Sequence, residues 1–294
     1  MPYDVIIIGK GPAGLSAALY TVRANLKTLI IGQSGSVLAK ADKIENYFGF
    51  TGTVSGNELL RAGELQALRL GAEIVHQEVL GINQNEDFEV VTSENRYTGR
   101  TILLAAGQPQ KQLNIEGLKE LEGRGISYCT TCDGFFYRGL KVGILGGGDF
   151  ALHEAAELTA FTKDITIYTN GNALKSEEVA NGFKIVDKRV LRLEGEEALE
   201  YICFSDGTKE RLDGLFIANE SASGIDFARK LGVITEGASI LVDKDQKTNL
   251  EGVYAAGDCT GGFKQIATAV GQGALAAKNI IAFVRSSTAK VPYI

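Results

Sequence analysis

Two cysteines separated by two residues, Cys129-Thr-Thr-Cys132, form the part of the sequence best suited to redox chemistry. Cysteines at this spacing can close a small reversible disulfide, and the acid that follows directly, Asp133, can offer a proton to a thiolate. The pair lies between two glycine-rich turns, Gly9-Lys-Gly-Pro-Ala-Gly14 and Gly146-Gly-Gly-Asp-Phe-Ala151. If those turns carry a cofactor, the cysteine pair is a redox site.

The length and composition of the chain limit its class. With 294 residues and 45% hydrophobic content, it can form two domains with buried cores. We expect a cytoplasmic protein without membrane contact, because no unbroken apolar run approaches the roughly 18–20 residues of a membrane span and no basic leader precedes the first strand. In that reducing compartment Cys-x-x-Cys is catalytic or metal-binding, and we expect no metal because Cys203 and Cys259 lack ligands at zinc spacing. The net charge of −6 argues against nucleic acid as a partner.

The first glycine turn has the context of a dinucleotide-binding site. Residues 3–8 are a continuous apolar run, which predicts a buried parallel strand, and residues 15–24 and 27–31 read as a helix and a second strand. Glycines in G-x-G-x-x-G spacing permit the tight turn, the approach of backbone to a pyrophosphate and close packing of helix on strand. The turn residues concerned are Gly9, Gly11, Pro12, Ala13 and Gly14.

Two other positions bear on this first site. The acid that usually follows the second strand and holds a ribose is missing, and Gln33, which stands there, can still hydrogen-bond a ribose. A strand near residues 101–105 ends in Ala106-Gly107, where small residues suggest close approach to a ligand or another backbone. Residues 56–71 predict an amphipathic helix, with Leu59, Leu60, Leu65, Leu68 and Leu70 among polar positions.

The second glycine turn repeats the first. Residues 141–145 read as a strand, Gly146, Gly148 and Ala151 have G-x-G-x-x-A spacing, and residues 152–161 follow as a helix. A further strand is predicted at residues 164–168. This duplication predicts an α/β protein with two dinucleotide-type domains.

Taken together, these motifs resemble the low-molecular-weight thioredoxin reductase family over essentially the whole chain. The matching segments are the first glycine turn, Glu45-Asn46-Tyr-Phe-Gly49, Cys129-x-x-Cys132-Asp133, Gly146-Gly-Gly148 and Val253-Tyr-Ala-Ala-Gly-Asp258 with Lys264-Gln265 beyond it. The resemblance implies two Rossmann-like domains of the three-layer ββα type. An FAD-binding domain would comprise residues 1–111 and 240–294, and residues 112–239 would form an NAD(P)-binding-like domain that carries the dithiol.

The resemblance also implies roles for individual residues. Cys132 would face the flavin, Cys129 would attack the thioredoxin disulfide after the second domain turns, and Asp133 would act as general acid-base. Asp258 would bind the ribityl chain of FAD. The complete set of FAD contacts would be Gly9, Gly11, Pro12, Ala13, Gly14, Gln33, Asn46, Ala106, Gly107, Gly257, Asp258, Lys264, Gln265 and Ile266. A homodimer is expected because the family forms one.

One departure from the family concerns the electron donor. Members that use NADPH carry His-Arg-Arg after the strand that follows the second glycine turn, whereas this chain has Thr169-Asn170-Gly171, and the next basic residue is Lys175. Loss of two charge-assisted hydrogen bonds would weaken NADPH binding by about 3–6 kcal/mol. No acid suited to NADH stands there either. The pattern resembles the flavin-type ferredoxin-dependent thioredoxin reductases, which implies ferredoxin as donor and a second domain without nucleotide.

Alternatives to this interpretation remain open on the sequence. One is an NAD(P)H-dependent thioredoxin reductase with a divergent nucleotide site, another is a flavin-dependent dithiol oxidase that uses oxygen, and a third is a non-enzymatic redox-sensing flavoprotein. Five basic residues could form a docking face for ferredoxin, and an aromatic residue near the end of the chain, Tyr293, could stack on the flavin. The basic residues are Arg23, Lys27, Lys40, Lys43 and Arg61.

Overall fold

A computed structural model of the chain describes residues 2–33, 36–108, 113–175, 182–218 and 221–288, so the hypothesis about Tyr293 lies outside the described residues. The strands are β1 (Val5–Ile8), β2 (Thr28–Ile31), β3 (Glu73–Val75), β4 (Val79–Gln84), β5 (Phe88–Thr92), β6 (Arg96–Gly99), β7 (Ile102–Leu104), β8 (Ile126–Ser127), β9 (Val142–Leu145), β10 (Ile165–Tyr168), β11 (Lys184–Val186), β12 (Val190–Glu194), β13 (Tyr201–Phe204), β14 (Lys209–Arg211), β15 (Gly214–Ile217), β16 (Thr235–Glu236), β17 (Ser239–Ile240) and β18 (Val253–Ala255). The helices are α1 (Pro12–Arg23), α2 (Gly56–Leu70), α3 (Thr130–Asp133), α4 (Asp149–Leu158), α5 (Gly224–Leu231) and α6 (Ile266–Thr288), and short 3-10 helices span Val37–Lys40, Gly134–Tyr137 and Asp258–Thr260.

The first of two compact units comprises Met1–Gln110 and Ser223–Ile294. Its parallel sheet has the strand order β18-β7-β1-β2-β3. Val5 and Ile7 of β1 belong to a core cluster with residues of α1 and α6. Ile6 faces the antiparallel sheet β4-β5-β6, since a Cβ added at Gly99 of β6 would lie 2.7 Å from its side chain. The buried strand β1 therefore has a neighbour on each face, which confirms the three-layer prediction.

The second unit, Lys111–Ala222, repeats this plan. Its parallel sheet has the order β11-β10-β9-β15-β8, in which β9 and the adjacent β10 and β15 correspond to β1 with its neighbours β2 and β7. Ile202 and Phe204 of the antiparallel sheet β12-β13-β14 share a core cluster with Leu145 of β9. Helix α4 packs against β9 and β10. The predicted duplication is present, and the α/β fold class is confirmed.

The boundary between the units differs from the predicted one. The chain returns to the first unit at Ser223 rather than at residue 240. Helix α5 accounts for the difference, because it packs against β4 and against the hairpin of β16 and β17 within the first unit. Its apolar side chains Ile225 and Phe227 are buried. In the sequence, Ser223 and Asp226 mark the start of a helix by a capping box, but a cap does not say which unit the helix joins.

Helix α2 has nearly the predicted bounds, but only some of the predicted leucines face the core: Leu60 and Leu70 pack against the core cluster of the first unit. It begins with a capping box between Ser55 and Glu58. Leu65 and Leu68 are 57% and 49% exposed. Small residues of α2 form the contact with α1. A Cβ at Gly63 would lie 3.0 Å from the Leu15 side chain, and Ala67, one turn later, is fully buried. Small residues permit this close helix contact, and the sequence pattern of leucines did not indicate it.

The long helix α6 meets the length and hydropathy criteria of a membrane span over Ile266–Ser287, with a mean hydropathy of 1.3. A core helix of a soluble protein meets the same criteria, so one such helix is weak support for a span. Ala276, Ala277 and Ile280 are fully buried in the core cluster shared with α1. The apolar character of α6 is thus explained in part by the packing of the first unit.

Candidate active site

The two motif cysteines are joined in a disulfide, with Cα atoms 5.3 Å apart. Cys129 precedes α3 as its N-cap residue, and its Sγ accepts a hydrogen bond from the Cys132 backbone N–H at 3.1 Å. Cys129 is buried, whereas Cys132 is exposed. The predicted bond is therefore formed, and the assignment of one cysteine to the flavin and the other to thioredoxin stays a prediction.

Asp133 is connected to the disulfide through a residue that the sequence interpretation missed, Ser127. The Ser127 hydroxyl donates to Asp133 Oδ2 at 2.7 Å, and Ser127 Oγ accepts from the Cys129 backbone N–H at 3.1 Å. Ser127 is buried at the end of β8. Nearby, burial and then the charge of Asp133 raise the pKa of Tyr137. The half-buried acid is thus held beside Cys129, as general acid-base chemistry requires.

Two phenylalanines follow the disulfide and lie on the surface. Phe135 and Phe136 are 61% and 73% exposed, and their rings meet edge to face with centroids 6.1 Å apart. The Arg138 guanidinium lies over the Phe135 ring at 5.0 Å from its centroid. Exposed large apolar side chains are commonly found at protein interaction sites.

Behind the disulfide, α4 places two acids against the residue between the cysteines. The buried Thr130 hydroxyl lies 2.7 Å from Glu154 Oε2 and 2.9 Å from Glu157 Oε2. His153 Nε2 lies 3.2 Å from Glu157 Oε1, so His153 has the acidic neighbours that the sequence interpretation did not recognise. One ligand atom from each of His153, Glu154 and Glu157 lies within 4.8 Å of the others, a grouping that could hold a metal ion. No metal was expected from the sequence, and exposed acidic groups are common without one.

The first glycine turn fits a pyrophosphate. Gly9 has φ +111°, and a Cβ there would lie 2.4 Å from the Ala105 carbonyl oxygen. A Cβ at Gly14 would lie 2.0 Å from the Gly9 carbonyl oxygen, whereas one at Gly11 would meet no protein atom within 4 Å. The open space beside Gly11 lets a phosphate approach the backbone. Helix α1 begins at Pro12, and the first turn of a helix has N–H groups without partners in the helix, which can bind the phosphate.

Substitutions in this turn are expected to separate flavin binding from folding. Gly11→Ala should lower the flavin content of the purified protein without unfolding it, because the added methyl group enters the open space and not the protein. Gly14→Ala should lose flavin and also stability, by about 1–3 kcal/mol or more, because its methyl group overlaps the backbone. The ratio of flavin to protein absorbance and a urea titration measure the two effects.

Gly271→Ala on α6 is the control, since its methyl group also meets no protein atom within 4 Å. It should retain both the flavin and the stability of the unmodified protein. A full flavin complement in Gly14→Ala would contradict the packing argument.

The end of β2 is occupied by two side-chain networks of the first unit. Lys10 Nζ donates to Glu64 Oε1 at 2.8 Å and lies 3.1 Å from His76 Nδ1. Gln33 Nε2 donates to Glu78 Oε2 at 2.8 Å, and Glu78 is buried. Glu78 thus supplies a carboxylate close to the position where the strand-end acid is missing, and this acid could not be found from the local motif.

The remaining predicted FAD contacts converge on the carboxyl edge of the same sheet. Because β18, β7 and β1 are adjacent and parallel, the segments after them lie together: Ala106-Gly107, Gly257-Asp258 and the first glycine turn. Asn46 Nδ2 donates to Gln265 Oε1 at 2.9 Å, and Lys264 Nζ donates to Gln108 Oε1 at 2.6 Å. Ile266 begins α6 directly after them. Sequence positions more than 200 residues apart are thereby brought to one site.

The second glycine turn is arranged differently. Asn170, with φ +54°, accepts a hydrogen bond at Oδ1 from the Val190 backbone N–H at 2.7 Å. The Lys175 backbone N–H donates to the Gly147 carbonyl at 2.9 Å, and Lys175 Nζ pairs with Asp149 Oδ2 at 2.5 Å. The segment that follows β10 therefore folds back onto the glycine turn, and its one basic side chain is paired with the first residue of α4.

The other two cysteines are buried and reduced. Cys259 Sγ donates to the carbonyl oxygens of Leu104 and Ala256, and burial raises the pKa of its thiol to about 12. Burial also raises the pKa of Cys203. A protonated thiol is a poor nucleophile, so both cysteines have the properties of packed residues.

Known proteins share these sequence and structural features. A family model described as pyridine nucleotide-disulphide oxidoreductase matches residues 3–273. A thioredoxin reductase from Bacillus subtilis (strain 168) is 34% identical over 300 residues, covering 96% of this chain and 95% of that protein. The structure of the atypical thioredoxin reductase TRi from Desulfovibrio vulgaris Hildenborough is similar with a TM-score of 0.93 and 42% identity, covering 99% of this chain and 100% of that one. The structure of a ferredoxin-flavin thioredoxin reductase from Clostridium acetobutylicum is similar with a TM-score of 0.72 and 30% identity, covering 97% of this chain and 99% of that one.

Proposed function

We propose that this chain, which belongs to the pyridine nucleotide-disulphide oxidoreductase family and is a thioredoxin reductase-like, FAD-dependent disulfide oxidoreductase, takes its electrons from reduced ferredoxin. The observation that carries the proposal is the loss of a basic phosphate clamp after β10. Asn170 bonds the backbone at Val190, and the next basic residue in the sequence, Lys175, is paired with Asp149. The following residues up to Phe183 contain no Lys or Arg.

The energetic consequence concerns the 2′-phosphate of NADPH. Two charge-assisted hydrogen bonds are absent, and each is worth about 1.5–3 kcal/mol. Their loss weakens nucleotide binding on the order of a hundredfold to ten-thousandfold. The binding of NADH is not strengthened in compensation, because residues 168–171 offer no carboxylate for its ribose.

The similarity to the ferredoxin-flavin thioredoxin reductase of Clostridium acetobutylicum supports ferredoxin as the donor. The driving force is also compatible. Plant-type ferredoxins have potentials near about −400 mV and thioredoxin near about −270 mV, so two electrons release roughly 6 kcal/mol. FAD, when bound, can accept electrons singly and pass them on as a pair.

Individual residues of the chain are assigned to FAD binding, disulfide exchange and proton transfer. The first glycine turn with Gly257 and Asp258 would hold FAD. The Cys129–Cys132 disulfide takes up two electrons and two protons and becomes a dithiol. The Cys129 thiolate then attacks the thioredoxin disulfide to give a mixed disulfide, and the Cys132 thiolate releases reduced thioredoxin and restores the starting bond. Asp133, held by Ser127, would move the proton at the thiols.

We expect thioredoxin to dock on the surface beside the disulfide. Phe135 and Phe136, exposed beside the disulfide, support a docking role toward thioredoxin. The docking of ferredoxin on the five basic residues stays a prediction: Arg23 and Lys27 lie near the start of β2, and Lys40 and Lys43 follow β2 in the chain. The proposal includes a cytoplasmic homodimer.

Anaerobic mixing of the oxidised flavoprotein with each donor tests the proposal. Reduced ferredoxin should bleach the flavin absorbance within the mixing experiment, whereas micromolar NADPH or NADH should leave it unchanged. The Bacillus subtilis relative is the comparison protein for the same measurement. Rapid bleaching by NADPH would favour a nucleotide-dependent enzyme, and oxygen consumption with a small dithiol would favour the oxidase.

A further inference from the structure

We propose that Glu78 is a positioning residue for the adenosine ribose of FAD: its carboxylate holds the amide nitrogen of Gln33 and so directs the amide oxygen toward the ribose hydroxyls. The two side chains together take over the role that a single acid at the end of the second strand has in dinucleotide sites of this kind. The proposal concerns the binding of FAD and is independent of the electron donor.

The carboxyl edge of the first parallel sheet brings Gln33 and Glu78 together. Strands β2 and β3 are parallel, with Ile31 paired to Val75, so the segments that follow them leave the sheet at the same edge. Gln33 lies two residues after β2 and Glu78 three residues after β3. The Gly9 backbone N–H donates to the Ile31 carbonyl at 2.7 Å, which places the end of β2 beside the first glycine turn. A dinucleotide whose pyrophosphate lies at that turn therefore has its ribose within reach of the segment after β2.

Glu78 is held in place by the neighbouring antiparallel sheet. Its backbone carbonyl accepts a hydrogen bond from the Ser93 N–H at 2.9 Å, and the next residue, Val79, begins β4 and pairs with Thr92 of β5. Glu78 is 6% exposed, whereas Gln33 is exposed. A buried carboxylate on a sheet-bound segment can thus fix an exposed amide that a ligand can reach.

The hydrogen bond between the two side chains determines which end of the amide faces the ligand. Gln33 Nε2 donates to Glu78 Oε2 at 2.8 Å. The amide is planar and carries its donor and its acceptor on different atoms, so the end that lies on Glu78 is the nitrogen. The amide oxygen can then accept a hydrogen bond from a ribose hydroxyl, as the carboxylate at a strand end does in other dinucleotide sites.

The pair also explains why an amide and not an acid stands at position 33. A carboxylate there would face the Glu78 carboxylate at hydrogen-bond distance, and two like charges so close together repel each other. While Glu78 is an acid, position 33 can offer an acceptor to the ribose only as part of a neutral amide. We therefore expect the two functional groups to be exchangeable as a pair but not singly.

The test uses the full chain freed of flavin and measures its affinity, by the change in flavin fluorescence, for FAD and for an FAD analogue that lacks both hydroxyls of the adenosine ribose. Gln33→Ala should weaken the binding of FAD by about three- to tenfold, the effect of one hydrogen bond, and should leave the affinity for the analogue unchanged. Glu78→Ala should have the same effect, and the double variant should lose no more than either single variant, because both act on one contact.

Asn83→Ala is the matched control. The Asn83 amide also donates to a carboxylate, Glu89 Oε2 at 3.2 Å, but the pair lies on β4 and β5 away from the carboxyl edge of the parallel sheet. This variant should bind FAD and the analogue as the unmodified chain does. Equal weakening of FAD and of the analogue in Gln33→Ala would overturn the proposal, since the contact would then stabilise the protein and not the ribose.

Exchange of the two functional groups provides a second test that keeps the size of both side chains. Gln33→Glu alone should weaken the binding of FAD at least as much as Gln33→Ala, because its carboxylate faces Glu78. Addition of Glu78→Gln should restore the affinity to within about twofold of the unmodified chain, because donor and acceptor have changed places. The proposal is overturned if Gln33→Glu binds FAD as tightly as the unmodified chain, or if Glu78→Gln brings no recovery. This series decides the question even if Glu78→Ala does not fold.

Discussion

Replacement of either motif cysteine by serine is expected to abolish thioredoxin reduction while leaving the flavin reducible by its donor. In Cys129→Ser or Cys132→Ser the disulfide bond of the oxidised protein cannot form. A hydroxyl neither closes a disulfide nor attacks one as a thiolate does, so turnover should fall by at least about a thousandfold. The rate of thioredoxin reduction and the flavin absorbance after addition of the donor measure the two halves of the reaction.

The chain provides controls in its other cysteines. Cys259→Ala and Cys203→Ala remove buried thiols whose raised pKa values leave them protonated, and neither variant should lose more than a small part of the activity. Cys259→Ala also removes two hydrogen bonds to carbonyl groups, so a modest loss of stability is expected. Thioredoxin turnover by Cys129→Ser near the normal rate would exclude the proposed route through the disulfide.

Replacement of Asp133 by asparagine is expected to slow thiol chemistry by about a hundredfold to ten-thousandfold. The amide has nearly the same shape and still accepts the Ser127 hydrogen bond, but it cannot take up or release a proton. The loss should appear in the exchange between the enzyme dithiol and thioredoxin, measured in a single turnover. Flavin content should not change, because Asp133 lies in the second unit.

Asp149→Asn is the matched variant for Asp133→Asn. Asp149 also lies in the second unit and accepts a hydrogen bond, but its partner is Lys175 of the segment that follows β10. Its replacement should leave the rate of single-turnover exchange within about twofold of the rate of the unmodified protein, because an exposed ion pair contributes little free energy. Equal losses in both variants would show that Asp133 acts through general stability and not through proton transfer.

Local patterns in the sequence predict the central strands and the glycine turns well. The run Val5–Ile8 is followed by Gly9, and both the buried strand and the tight turn are present. The disulfide of Cys129 and Cys132 likewise follows from two residues at fixed spacing. These features depend on neighbouring residues, which is why sequence alone indicates them.

Contacts between distant residues are not encoded in the same way. Glu78 reaches Gln33 across 45 positions, and Glu154 reaches Thr130 across 24. Neither pair has a spacing that a motif would reveal, because the sheet order and the packing of α4 bring the residues together. The exposure of Leu65 has the same origin, since close approach at Gly63 moves the buried stripe of α2.

The first unit is discontinuous, and this sets an order of assembly during synthesis. Strands β1, β2, β3 and β7 are made early, but β18 and α6 come from the last part of the chain. A Cβ at Gly273 of α6 would lie 2.1 Å from the Ala13 carbonyl oxygen, so α6 presses directly on the first glycine turn. All residues of the second unit are therefore synthesised before the FAD site is complete, and a nascent chain that stops before α6 has the cysteine pair but no finished site for the flavin.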